Sequence, residues 1–306
     1  MTELWHGLMT LLSGENGFFL VLVSYVAMIL IERLGHALEG SGRWNERDAR
    51  VNIVNSSVTA IGDALIGSAI FFGLYTAIHA NLRLFDMPLT GWGFLAAFLL
   101  RDLAYYVDHR IAHRTGLFWA FHIPHHSSRE MNLTVSSRGS VFGLAGTVSP
   151  AYFVLPLLGV SFPMFVAVAF IGNLWGIFNH TRLVRRMGWL DEVLATPANH
   201  RVHHGIEAKY LDRNYGQTLI LWDRLFGTFQ REEEEPSYGL VKQLESDRIW
   251  DIQTSGLTWL ATQLRSAPRW QDKLRYLAMP PGWRHDGCPQ TSEAIRAGAP
   301  GCLAGS

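Results

Sequence analysis

Nine of the thirteen histidines fall between His109 and His204. Their spacing is ordered: His109-x-x-x-His113, His122-x-x-His125-His126, His180, and His200-x-x-His203-His204. Neutral imidazole offers a lone pair near pH 7 and is the commonest metal ligand. On a helix, residues three or four apart share a face at about 5–6 Å, which suits imidazoles closing on one metal or on two neighbouring metals. Nine imidazoles are too many for one ion; two ions with four or five ligands each use them all. Imidazole suits zinc, copper, iron and nickel alike, so ligand type alone does not choose. The H-E-x-x-H pattern of hydrolytic zinc sites and the Glu-x-x-His sets of soluble di-iron bundles do not occur in the sequence. Neutral ligands leave the metal charge uncompensated, so carboxylates around them matter; candidates are Asp102, Asp108, Glu130, Asp191, Asp212 and Asp223. His6, His36, His79 and His285 lack the spacing and read as ordinary polar residues.

The elements that must position this set are apolar. The chain is 48% hydrophobic and 17% charged, with mean hydropathy +0.10. Residues 16–31 and 64–82 carry no charge, and 139–181 is uncharged over 43 residues. One crossing of a bilayer takes about 20 apolar residues, so 139–181 can cross twice, turning at Gly159–Pro163. The apolar run 87–100 continues through Arg101 and Asp102 to His109, and reads as one long helix, membrane-embedded at its start, with the first histidine pair at its end. Basic residues set orientation: Arg33, Arg43, Arg47 and Arg50, then Arg110, Arg114, Arg129 and Arg138, then Arg182, Arg185 and Arg186 all face the cytoplasm if the N-terminus lies outside. Every histidine group then lands on the cytoplasmic side of a bacterial-type inner membrane. The leader lacks a basic n-region, so the first span reads as an anchor.

The expected fold is all-α: an integral membrane helical bundle with a cytoplasmic helical cap carrying a histidine-rich dimetal site. Residues 1–108 read as transmembrane helices with one cytoplasmic loop, and 109–231 as the histidine-bearing region, including a membrane hairpin at 140–179. Residues 232–279 follow as cytoplasmic or interfacial segments; within 248–278 are one or two amphipathic helices whose Trp250, Trp259 and Trp270 suit the membrane interface or packing on the cap. The Gly/Pro/Ala-rich tail 280–306 reads as disordered. Two cysteines, both in that tail, exclude a disulfide scaffold, and near-zero net charge argues against nucleic acid as a partner.

The histidine boxes, together with Trp119-Ala-Phe-His122, Asn132-Leu-Thr, Thr196-Pro-Ala-Asn-His200, Asn214-Tyr-Gly216 and Trp222-Asp-Arg-Leu-Phe-Gly-Thr-Phe229, resemble the fatty acid hydroxylase / sterol desaturase superfamily. The resemblance runs over residues 100–240. His-His-Ser-Ser128, Arg138-Gly-Ser140 and Tyr238-Gly-Leu240 make the chain similar to the alkylglycerol monooxygenase-like branch. The resemblance implies two non-haem iron ions held by His109, His113, His122, His125, His126, His180, His200, His203 and His204, with O2 as co-substrate for attack on a lipid C–H bond. Asn214, Tyr215, Gly216 and Asp223 are candidates to fix the cap over the metals, Asp102, Asp108 and Glu130 are candidates to support the ligands, and Trp222 and Phe226 are candidate walls of the substrate pocket. The expected activity is lipid hydroxylation on an acyl, alkyl or sterol-like chain entering from the bilayer. Desaturation and ether cleavage by the same centre are alternatives, and a histidine-rich membrane protein without catalysis is the rival of another class. The sequence holds no dinucleotide-binding loop and no Cys-x-x-Cys, so electrons come from a reductase, ferredoxin or reduced pterin. In the ether-cleaving branch an acid follows the second histidine of the first box. Arg114 stands there in this chain, and the expectation is that ether cleavage is disfavoured.

Overall fold

In a computed structural model, the backbone is described for Gly7 and for residues 15–146 and 149–298. Helix α1 (Glu15–Glu39) ends at Gly40, whose φ of +60° is the left-handed conformation that closes a helix. Asn45 accepts the Arg47 and Asp48 amides at 3.1 Å, an N-cap that starts α2 (Glu46–Gly62). A π-helical turn (Asp63–Gly67) joins α2 to α3 (Ser68–Leu82). Together they make one helix of 37 residues, Glu46–Leu82, about 55 Å long at 1.5 Å per residue.

Among the described residues, Phe19–Glu39 and Glu46–Leu82 are long and apolar enough to cross a membrane. Only 17% and 11% of their apolar windows are buried. The core helix of a soluble protein would be covered; here Leu30, Ile31, Leu38, Ile61 and Leu65 stand exposed. Bare apolar faces of this extent belong in lipid, and the chain is a membrane protein.

The uncharged run 139–181 departs from the expected two crossings. Its first half is a series of short turns, Val141–Gly146, Pro150–Phe153 and α6 (Val154–Leu157); only its second half is one helix, α7 (Phe162–Phe178). The predicted turn is present, with Gly159 at φ +74°. Pro150 and Pro156 deny the first half the amides that a continuous helix needs. Its apolarity has another cause: Leu155 and Val160 are buried against Phe71, Tyr75, Ala97 and Met164, and the Tyr75 hydroxyl donates to Val160 O at 2.9 Å.

Helix α4 (Gly91–Arg114), capped by Thr90, carries His109 and His113 near its end. Next come α5 (Gly116–His126), α8 (Pro197–His203) and α9 (Leu221–Leu225). The amphipathic stretch is two helices, α10 (Ile249–Ser266) and α11 (Trp270–Ala278). Gly256 of α10 lies so close to the Ala120 carbonyl that no Cβ fits between them. Trp250 and Trp270 are exposed. The tail differs from expectation: residues 280–298 are ordered, ending in α12 (Ser292–Arg296), and residues 299–306 lie outside the described residues. The described fold is helical with two isolated β-bridges, Leu194 to Leu219 and Gly205 to Tyr238.

Candidate metal centre

The structure brings all nine histidines into two groups. His109, His113, His122, His126 and His203 form one; His125, His180, His200 and His204 form the other. Ligand atoms within each group lie within 4.8 Å of one another. The duplicated H-x-x-H-H motif works as a bridge. In α5 the i,i+4 pair His122 and His126 serves the five-histidine group while His125 serves the other. At α8 the assignment is mirrored: His200 and His204 serve the four-histidine group and His203 the five. Adjacent residues on a helix are turned about 100° from each other, so His125 and His126, like His203 and His204, address different groups.

The nitrogen geometry is that of a coordination shell. The Nε2 atoms of His109 and His122, of His122 and His126, and of His113 and His126 lie 3.1 Å apart. His203 Nε2 is 3.2 Å from His126 Nε2. In the second group His180 Nε2 lies 2.9 Å from His200 Nε2 and 3.4 Å from His125 Nε2. With metal–nitrogen bonds of about 2.0–2.1 Å, adjacent ligands stand about 2.9–3.4 Å apart.

The outer ring nitrogens fix the tautomers. His109 Nδ1 donates to Tyr215 O at 2.8 Å, His203 Nδ1 to Arg213 O at 2.9 Å, His180 Nδ1 to Gly176 O at 2.8 Å and His125 Nδ1 to Arg138 O at 3.3 Å. Each donation leaves an Nε2 lone pair facing its neighbours. Lone pairs opposed at 3 Å repel, and a cation between them turns that repulsion into bonding. Buried His200 Nδ1 and His204 Nε2 have no hydrogen-bond partner in the protein. The donor set therefore fits metal ions. Burial first, and the neighbouring imidazoles second, push His109, His122, His126, His180, His200, His203 and His204 well below the ordinary histidine range. Burial brings His125 down to about 4. These rings are neutral and ready to bind at pH 7.

The carboxylates divide sharply. Asp212 Oδ1 lies 3.4 Å from His113 Nδ1. Burial alone would raise its carboxyl; His113, Ser292 and Arg114 outweigh that and hold it below its ordinary value. Asp223 acts one step out, accepting the Tyr215 and Gly216 amides at 2.8 Å and the Thr228 hydroxyl at 2.6 Å. Asn214 clamps the same loop, donating to Asn199 O and Gln230 O at 3.0 and 2.7 Å and accepting the Gln230 amide at 2.8 Å. Asp102, Asp108 and Glu130 do not touch a histidine of the set. Asp102 accepts from Thr218, Leu219 and Trp222, and Asp108 accepts the Ala151 amide. Glu130 meets Asn45 and Arg182 near the surface, and Asp191 takes the Met187 amide and the Thr196 hydroxyl ahead of α8. Of the expected pocket walls, Trp222 turns its indole to Asp102, and Phe226 stacks on Tyr106 at 5.3 Å. Arg114 turns its guanidinium to Asp212 and Glu293.

Glu32 was not among the expected residues. It lies inside a candidate span yet is buried, accepting the Leu133 amide at 2.7 Å and the Thr181 hydroxyl at 2.6 Å. It thereby ties α1 to the residue after His180. An acid within an apolar run was the signal available for it. Trp119, whose ring centroid lies 5.0 Å from that of His113, and Arg138 are further supports. Arg138 is itself held by Asn52, Ser127 and Pro124 O. Of the histidines without the spacing, His36 meets Ser41 and His285 meets Tyr276; His6 lies outside the described residues.

This chain is similar to several lipid-modifying enzymes. It is 32% identical to the alkylglycerol monooxygenase of Homo sapiens over 262 residues, 85% of this chain and 58% of that protein. It is 31% identical to the Caenorhabditis elegans alkylglycerol monooxygenase over 253 residues, 75% of this chain and 49% of that protein. The chain thus spans about half the length of these relatives. Ornithine lipid hydroxylase of Rhizobium tropici is 27% identical over 224 residues, 69% of this chain and 66% of that protein. No solved structure matches. The fatty acid hydroxylase family model matches residues 94–228, a span that contains all nine histidines of the centre, and this part of the chain is a fatty acid hydroxylase domain.

Proposed function

We propose that the protein is a membrane-bound non-haem di-iron monooxygenase that hydroxylates a lipid with O2 and external electrons. The observation that carries this reading is the pair of imidazole groups with nitrogens 2.9–3.4 Å apart. The names of the relatives, monooxygenases and hydroxylases of lipids, support the choice of chemistry. Two iron ions, bound by the five- and four-histidine groups, would supply the activation of O2 that attack on an unactivated C–H bond requires.

The chain's own residues do the rest. Carbonyls of Tyr215, Arg213, Gly176 and Arg138 fix ring orientation before any ligand arrives. Burial of His109, His113, His126, His200, His203 and His204 excludes bulk water. The apolar α4 and α7, which end beside His109 and His180, lead an acyl or alkyl chain from the bilayer toward the centre. A reductase, ferredoxin or reduced pterin provides the electrons, and the centre sits on the cytoplasmic face of a bacterial-type inner membrane.

Cleavage of an alkylglycerol ether is a second reading, favoured by the alkylglycerol monooxygenase relatives. The objection raised by Arg114 weakens, because its guanidinium is paired with Asp212 and Glu293 and is only a third exposed. Lipids extracted from cells with and without the protein, grown under 18O2, test both readings. One labelled hydroxyl on a membrane lipid is expected; labelled fatty aldehyde from an alkylglycerol would establish the second reading, and unlabelled lipids throughout would reject both.

A further inference from the structure

The tail 279–298 is ordered because it docks beside the five-histidine group. At its start, the Gly116 amide donates to Met279 O at 2.9 Å, three residues after His113. At its end, Glu293 pairs with Arg114, and Arg296 donates to Leu211 O at 2.5 Å. Arg114 closes the circuit, its Nη1 3.3 Å from Asp212 Oδ2, while Asp212 Oδ1 faces His113 Nδ1 at 3.4 Å. Asp212 and Asn214 both hold φ at 55°, a left-handed conformation that Asp and Asn reach more readily than other non-glycine residues because their short polar side chains hydrogen-bond locally. Asn214 and the Tyr215 amide are anchored by Gln230 and Asp223. Besides His113, Arg114 holds the Asp212 side chain, and Arg114 is in turn paired with Glu293 of the tail.

We propose that residues 279–298 form a strap for this centre, in which Glu293 and Arg114 are positioning residues that keep Asp212 on His113. The proposal rests on the metal reading above. An exposed ion pair adds little to global stability, and Arg114 and Glu293 are 33% and 47% exposed. Their effect is local: without the tie, Asp212 relaxes, His113 loses the acceptor of its outer N–H, and metal affinity in the five-histidine group falls by about 10–100-fold.

The test uses the full chain in detergent or nanodiscs, as wild type, Glu293→Gln, Arg114→Gln and Arg114→Lys. Two quantities are followed. One is hydrogen exchange of the metal-free chain. The other is loss of ferrous iron to a chelator under argon. The two neutral variants should speed exchange in 211–216 and 279–298 but not in 197–204, and release one of the two irons about tenfold faster or more; Arg114→Lys, which keeps a cation between Asp212 and Glu293, should stay close to wild type. Wild-type exchange and release in Glu293→Gln, or an Arg114→Lys variant as fast as Arg114→Gln, would overturn the strap. A wild type that takes up no iron rejects the metal reading instead, and the exchange data still decide whether the tail holds the 211–216 loop.

Discussion

The two histidine groups are built from the same motif yet supported in opposite ways. Three of the five rings in the first group rest on one short loop: His113 on Asp212, His203 on Arg213 O and His109 on Tyr215 O. That loop is pinned by Asp223 and Asn214. The second group has no such platform. His180 leans on its own helix through Gly176 O, His125 on Arg138 O across a 3.3 Å contact, and His200 and His204 each keep a buried nitrogen without a partner. The lesson is that ligand spacing along the chain decides which rings converge, while a separate segment decides how firmly each ring is aimed.

The largest effect should come from removing a ligand from either group. His126→Ala and His204→Ala are each expected to lower lipid turnover by more than about 100-fold, beyond the range seen for outer contacts alone, with membrane insertion unchanged. Near-normal turnover in either variant would remove that residue from the ligand set. Next in size, Asp223→Ala strips the acceptor from the buried Tyr215 and Gly216 amides, at about 1–3 kcal/mol for each unpaired group. It should weaken metal retention in the five-histidine group by about 10–100-fold and leave the four-histidine group nearly untouched. Metal analysis after graded chelation separates these outcomes; equal loss from both groups would erase the contrast. Arg138→Ala is the converse probe. It removes the ties to Asn52, Ser127 and Pro124 O that hold the carbonyl facing His125, and should loosen the four-histidine group first, by about tenfold.

A last prediction, read on stability instead of metal retention, is the pH dependence of the protein without metal. A histidine whose folded-state pKa is depressed binds fewer protons folded than unfolded between the two values, so its contribution is full above about 6.5 and is lost as pH falls. For His125, brought down to about 4 by burial, the window is about 6.5 to 4. The melting temperature of the metal-stripped protein should fall steadily across that window. A flat profile would mean that the rings are more open to water than the structure places them.

The chemistry was more legible than its supports. Eight of the nine ring positions stand in the boxes at helical spacing, with His180 alone between them, and α4 follows the continuous pattern from the apolar run into the first histidine pair. Backbone carbonyls carry no signature, so Arg213 and Gly176 could not be singled out, and Tyr215 was legible only as part of the Asn214-Tyr-Gly216 motif, not for its carbonyl. Asp212 was one candidate among several acids, and only the fold separates it from Glu130 at the surface. The uncharged 139–181 run read as membrane because burial against protein and burial in lipid select the same residues; Pro150 and Pro156 were the available correction. The tail read as disordered from its glycines and prolines, because its order comes from Arg114 and Leu211, more than 80 residues away in the chain.

The central claim is that two unequal histidine sets hold two irons and that lipid oxidation needs both. Iron per chain, counted together with turnover on the same anaerobically purified and reconstituted sample, tests it directly. The account predicts two irons in the wild type, one in His126→Ala and one in His204→Ala, with turnover in the wild type alone. Full turnover at one metal per chain, or with zinc as the sole metal, would contradict it.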